Sequence, residues 1–272
     1  MYNPILYSNS NILQRRDAKY LTDNYFKYIK WLPNGGDVSL DIGCGDGGVT
    51  HEFFLNNMPN SIETIVATDL SSEMIQHAAI SHQHSKIQFQ QLDIGVKTLP
   101  KHFIEKFDHV FSSYCLHWLH DQRKTFQNIY DVLKPNGDLL VSYLANHPFY
   151  SLFETVSKFE KWKSYMTDCN IRIPPYQKCS NTEEVHKQIL ESIGFDVKIC
   201  KCEKRTFLYK DLMSWRKTIE SVNPFINRIP ESSRKEYIDD YMAESQKFGL
   251  ILENNTVNTP YELLIVYAKK RI

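Results

Sequence analysis

Val38-Ser39-Leu40-Asp41-Ile42-Gly43-Cys44-Gly45-Asp46-Gly47-Gly48 decides the fold. A short apolar strand, Val38 to Ile42, runs straight into glycines at alternate positions, and a helical pattern, Val49 to Leu55, follows at once. Glycines at a strand end let the backbone approach a ligand lying over the carboxyl edge of a sheet, so a nucleotide-like cofactor is expected there. Working outward, Ile62 to Thr68 reads as a strand, Ser71 to Ile80 as a helix and Ile87 to Leu92 as a strand. Phe107 to Ser113 is a fourth strand, Thr125 to Leu133 a helix stopped by Pro135 and Gly137, and Leu139 to Leu144 a fifth strand. Such alternation predicts an α/β fold, a doubly wound, mostly parallel, Rossmann-like sheet.

Upstream, apolar positions at Ile12, Leu13, Leu21, Tyr25, Phe26 and Ile29 predict an N-terminal helix with Ser10 as its cap, ended by Pro33-Asn-Gly-Gly. Downstream the regularity breaks after Ala145, and about 50 residues precede the next strand, Phe195 to Cys200. The intervening Phe149, Phe153, Phe159, Trp162, Tyr165 and Met166 fall at helical spacings. A second helical stretch covers Leu212 to Phe248, and Leu263 to Ala268 reads as an edge strand. One domain over 1–272 is expected: a helical segment 1–32, a cofactor core 33–145, and helical cap insertions 146–190 and 206–258 over the substrate site.

Thirty-two basic residues balance 32 acidic ones, which argues against holding nucleic acid by bulk charge. A chain of 272 residues buries roughly 70–75% of its surface on folding and needs no metal or disulfide staple. The six cysteines form no C-x-x-C pair and read as free thiols. His77, His82 and His84 lack accompanying ligand spacing and read as a solvated helix end, so no metal is expected. Arg15, Arg16 and Asp17 interrupt the region where an export signal would need an apolar run, and no stretch approaches the roughly 20 apolar residues of a membrane span. A cytoplasmic protein with a small-molecule substrate is expected; the oligomeric state stays open, a homodimer included.

Three aspartates refine the cofactor. Asp69 ends the second strand 22 residues beyond Gly47, where a carboxylate accepts ribose hydroxyls. Asp41 precedes the first glycine, where it suits an ammonium group and repels a pyrophosphate. Asp93 follows the third strand and can take an adenine amino group. This charge arrangement fits S-adenosylmethionine, with Asp41, Gly43, Gly45, Gly47, Asp69, Leu70, Asp93, Ile94 and Ser112 as the expected cofactor residues. The literal G-x-G-x-x-G of Gly43, Gly45 and Gly48 keeps an NAD(P)-dependent oxidoreductase as the rival reading, without a second mononucleotide half or a Tyr-x-x-x-Lys dyad. An inactive fold that carries a lipid is the other.

On the acceptor side, the fourth strand leads into Ser112-Ser-Tyr114-Cys-Leu-His117-Trp118-Leu. The Asp/Asn-Pro-Pro-Tyr of base methylation is missing there, and the single Pro-Pro-Tyr, ending at Tyr176, lacks its leading acid or amide. Together with Tyr7, Asn9, Ser10 and Gln14, and with Leu40 to Asp46, this segment resembles the carboxyl O-methyltransferases. It resembles the plant salicylate and jasmonate enzymes and, more closely and nearly end to end, the insect juvenile hormone acid O-methyltransferases. The closer likeness extends through Phe107-Asp-His-Val-Phe, Glu160-Lys-Trp162, Asn223-Pro-Phe225 and Tyr267-Ala-Lys269. The resemblance implies a class I methyltransferase of juvenile hormone biosynthesis, acting on farnesoic acid or juvenile hormone acid. It also implies that Gln14 and Trp118 hold the substrate carboxylate, with His117 beside them.

That chemistry is self-consistent. A carboxylic acid is already ionised at neutral pH, so its methylation needs no general base and rests on positioning. Neutral donors orient the anion without stabilising its ground state as an arginine would, so no arginine clamp is expected. An apolar tunnel for the acid's tail is expected from Phe149, Phe153, Trp162, Tyr165, Trp215 and Phe225.

Overall fold

The alternating runs fold into one seven-stranded sheet in the computed structural model, which describes residues 3–271. The helices α1 (Pro4–Ser8) and α2 (Ile12–Tyr25) precede β1 (Val38–Ile42), and a π-wound turn, Thr50–Leu55, follows it. Next come β2 (Thr64–Asp69), α3 (Ser72–Ser81), β3 (Ile87–Gln91), β4 (Phe107–Ser113), α4 (Gln122–Val132) and β5 (Leu133–Asn146). The second half holds α5 (Pro148–Val156), α6 (Thr182–Ile193), β6 (Phe195–Tyr209), α7 (Leu212–Val222), α8 (Glu231–Lys247) and β7 (Val257–Lys270). The strand order is β3-β2-β1-β4-β5-β7-β6, parallel from β3 to β5, with β7 antiparallel to both neighbours. Chain order reverses between β1 and β4, so the crevice for a ligand opens over the carboxyl ends of those strands.

Strand residues alternate between two apolar layers. Leu140, Leu263 and Ile265 face α2, α5, α7 and α8, whereas Leu139, Leu264 and Val266 face α4 and α6. Covered on both faces, Leu263 to Ala268 lies in the sheet interior between β5 and β7's other partner β6, not at an edge as expected; β6 is the edge. The unbroken apolar run is what a doubly covered strand requires. Ser10 does not cap α2: Asn11 occupies the cap position without a capping bond, and the Ser10 hydroxyl is buried. The stretch 212–248 is two helices, because Asn223 is extended before Pro224 and Pro230 opens α8. Of the stretch 146–190, α5 packs on α8 and β7, but α6 lies back along the sheet against α4 and β6.

A buried ion cluster braces the amino edge of the sheet. His109 on β4 meets Asp138 on β5 through Nδ1 at 2.6 Å and Asp37 through Nε2 at 2.9 Å. Burial alone would lower its pKa, but the hydrogen bonds and charges of Asp138 and Asp37 outweigh it and raise the pKa above the ordinary histidine value. With a carboxylate on each nitrogen, both must donate, so the ring is an imidazolium. A raised folded-state pKa means that stability is fully present below the ordinary value of about 6.5 and is lost as pH rises through the raised one. The melting temperature should therefore fall as pH rises above about 7, and His109→Gln should flatten that slope. Melting curves across that range check it; identical slopes would show that His109 does not titrate there.

Candidate active site

The glycine loop closes the crevice floor. Gly43 has φ +77°, and a Cβ there would stand 2.3 Å from the Cys115 side chain, so β1 and β4 tips meet only because residue 43 has none. Gly45 lies under the Tyr7 ring of α1, with its N–H on Asp69 Oδ2 at 3.0 Å. Asp69 also accepts from the Ser71 amide through Oδ1 at 2.9 Å, which leaves one lone pair per oxygen directed elsewhere. Asp93 accepts from Gly95 N through Oδ1 at 2.8 Å.

Beside this loop lies a cavity of about 220 Å³ walled by Gly43, Asp69, Leu70, Asp93, Ile94, Leu92, Leu119, Tyr114, Cys115 and Trp118, among others. Two carboxylates with an apolar slot suit the ribose and base of a nucleoside. The single cation on that wall, Arg172, is paired with Asp168 at 3.2 Å. Nothing else there would neutralise a pyrophosphate, so the donor set fits S-adenosylmethionine and does not fit a dinucleotide. The structure brings Gly43, Asp69, Leu70, Asp93 and Ile94 together on this wall, whereas Gly45, against Tyr7, and Gly47, against Ala78 and Phe89, do not line it. Asp41 stands behind it, buried, accepting from Thr50 Oγ1 at 2.6 Å; burial, eased by that bond and reinforced by Asp69, pushes its pKa up to about 7. Ser112 is fully buried, its hydroxyl donating to Ile42 O at 2.8 Å, so it ties β4 to β1 and does not reach the cavity.

A second, smaller cavity of about 40 Å³ adjoins the first and shares Tyr7, Tyr114, Trp118 and Val222 with it. Gln14, His117 and Trp118 meet on its wall, although they come from α2 and from the turn Leu116–Trp118 after β4. What holds them together is Asp17, one turn after Gln14 and fully buried. It accepts from Tyr114 Oη at 2.6 Å and Tyr261 Oη at 2.5 Å and pairs with Arg16 and Arg205. Tyr114 reaches it from a left-handed backbone, φ +58°, that swings the chain out of β4. His117 is buried and its pKa is lowered to about 3, first by burial and then by His147, so the ring is neutral. Among the described residues, no Lys, Arg, Asp or Glu lines this cavity.

Of the expected tunnel aromatics, Phe149 and Trp215 line the cavity. Phe153 packs behind Phe149 at 4.3 Å and against Phe225 at 5.4 Å between ring centroids, and Trp162 meets Tyr237 edge to face with its N–H donating to Asp240. These three and Tyr165 do not line the cavity. Sequence reasoning missed Tyr150, Tyr209, Leu144, Thr218 and His147 on its wall. Tyr150 sits one position beyond Phe149 and was legible in principle; His147 carried no spacing signal.

The family model described as "Methyltransferase domain" matches residues 40–139. The juvenile hormone acid O-methyltransferase of Bombyx mori is 34% identical over 99% of this chain and 98% of its own. That of Drosophila melanogaster is 32% identical over 97% and 91%. Among solved structures, phosphoethanolamine N-methyltransferase 2 of Haemonchus contortus, in complex with S-adenosyl-L-methionine, superposes with a TM-score of 0.53 at 18% identity. That alignment covers 93% of this chain and 53% of the nematode chain, and it shows the shared fold alone.

Replacing Asp69 by Ala should weaken S-adenosylmethionine binding by about 1.5–3 kcal/mol, the range for hydrogen bonds to charged groups. Calorimetric titration checks this, and unchanged affinity would remove Asp69 from the cofactor site.

Proposed function

The chain belongs to the juvenile hormone acid O-methyltransferase family and is an S-adenosylmethionine-dependent O-methyltransferase, and from that premise we propose that it methylates the carboxylate of a long hydrophobic acid. Farnesoic acid and juvenile hormone acid are the acceptors this reading favours. The single observation that carries it is the meeting of Gln14 and Trp118, two uncharged N–H donors from distant parts of the chain, on one apolar wall without a charged side chain.

When bound, S-adenosylmethionine supplies an electrophilic methyl group on a cationic sulfur. Asp69 and Asp93 would hold its ribose and base, with Leu70 and Ile94 against the ring; Asp41 stays behind the wall and ties the loop to Thr50. The Gln14 amide and the Trp118 indole orient the acceptor carboxylate, and no residue has to remove a proton. His117, neutral at the same wall, can donate from one nitrogen without adding charge. The aromatic rings of α5 and α7 exclude water, which strengthens each of these dipolar contacts. At about 40 Å³ the acceptor cavity is far below the roughly 300–1,000 Å³ of typical ligand sites, so a farnesyl chain enters only as α5 and α7 side chains give way. In this division 33–145 carries most of the cofactor wall, and α5 and α7, from within 146–190 and 206–258, supply the cover, while α6 packs back on α4 and β6. Six free cysteines support a reducing, cytoplasmic setting, and among the described residues no helix is long and apolar enough to cross a membrane.

Incubation with methyl-labelled cofactor and farnesoic acid should place label in an organic-extractable ester; an unlabelled extract would contradict the reading. Trp118→Phe keeps the ring but deletes the donor. Its turnover should fall on the order of tenfold or more with cofactor affinity intact, measured by steady-state kinetics and calorimetry. Wild-type turnover would show that the ring only packs.

A further inference from the structure

His147 lies between β5 and α5, 4% exposed, on the wall of the acceptor cavity. Its main chain is clamped from both sides by one side chain: its N–H donates to Gln177 Oε1 at 3.1 Å, and Gln177 Nε2 donates to its carbonyl at 3.0 Å. The ring caps α5, because the Phe149 N–H donates to Nδ1 at 3.1 Å. That bond dictates the tautomer. A nitrogen that accepts from an amide carries no proton, so in the neutral ring the proton must sit on Nε2. Burial keeps the ring neutral. Nε2 is itself buried and has no protein partner, and Trp215 and Tyr261 flank the ring at 6.5 and 5.9 Å between centroids. A buried donor without a partner is destabilising, and a ligand acceptor would relieve that cost.

We propose that His147 is a further, uncharged donor to the acceptor carboxylate, its Nε2–H held in place by the helix cap that Nδ1 accepts. The inference rests on the carboxyl-methylation reading and adds a residue to it. A backbone-locked tautomer gives a donor whose direction does not have to be chosen anew with each substrate, and its neutrality keeps the wall free of cations. Gln14, Trp118 and His147 then approach the anion from α2, from the turn after β4 and from the start of α5, three elements that must all be in place before it is held.

His147→Asn separates the two roles, since its amide oxygen reproduces the capping acceptor while nothing reaches the Nε2 position. We expect this variant to melt within a few degrees of the wild type and to bind S-adenosylmethionine equally. Its kcat/KM for farnesoic acid should fall by about ten- to a hundredfold, and its affinity for the methyl ester product should stay unchanged. His147→Gln, whose N–H reaches further, should keep more turnover than His147→Asn. Wild-type kcat/KM in His147→Asn overturns the proposal, as does an equal loss of acid and ester affinity, which would mark a packing role. Should His147→Asn lose cofactor binding, His147→Gln decides: turnover within a few fold of wild type supports the donor, and turnover as low as His147→Ala overturns it. Failure of the wild type to esterify any acid would overturn the carboxyl reading and this inference together.

Discussion

The carboxylate of Asp17 organises the acceptor half of the molecule. It is fully buried on α2, yet every group that satisfies it belongs to another part of the chain, apart from the adjacent Arg16. Tyr114 comes from the end of β4, Tyr261 from β7 and Arg205 from β6. Breaking one partner of such a buried network costs about 3–5 kcal/mol, because an uncompensated charge remains inside. The consequence is geometric. Gln14, one turn before Asp17, and Trp118, four residues past Tyr114, are registered against each other by a common anchor. An amphipathic N-terminal helix alone would have no reason to lie at the carboxyl edge of the sheet.

The two adjoining cavities divide the electrostatics. One side carries acids that favour a cation-bearing nucleoside; among the described residues the other has no charged side chain on its wall, only amide, indole, imidazole and hydroxyl dipoles. Tyr7 and Trp118 stand between them. A reaction that brings a cationic donor and an anionic acceptor together loses both charges as it proceeds, and a wall that merely aims the anion does not hold it back. The absence of arginine from the acceptor wall is thus as informative as the presence of Gln14. The amino edge of the same sheet is braced by a different cluster, Asp37, His109 and Asp138, far from this chemistry along the strands.

Much of the cofactor half was legible because it is local. The glycine turn, Asp69 at the end of β2 and Asp93 just past β3 fall where strand periodicity puts them, and the structure gathers Gly43, Asp69, Leu70, Asp93 and Ile94 on one wall. Ser112 and Asp41 share the neighbourhood but are turned into the protein, a distinction that two-residue periodicity cannot make at a strand end. The acceptor half was legible only through likeness to known enzymes, since Gln14 and Trp118 meet by tertiary packing. Aromatic spacing placed Phe153, Trp162, Tyr165 and Phe225 on the tunnel wall, yet they form the layer behind it, because helical periodicity tells which face is buried and not what it faces. His147 stayed invisible because its role comes from a cap geometry that only the folded backbone reveals. β6 outran its expected length, since an edge strand rich in Lys, Glu and Arg does not show the apolar alternation of a half-buried one.

Uncharged donors from separate elements thus fix a carboxylate beside the cofactor cavity. The most direct test is a crystal structure with S-adenosylhomocysteine and farnesoic acid bound together. One carboxylate oxygen should be turned toward the cofactor sulfur, with the Gln14 amide and the Trp118 indole within hydrogen-bond distance of the carboxylate and the farnesyl chain between α5 and α7. A carboxylate paired with Arg172, or lying away from Gln14 and Trp118, would contradict this arrangement.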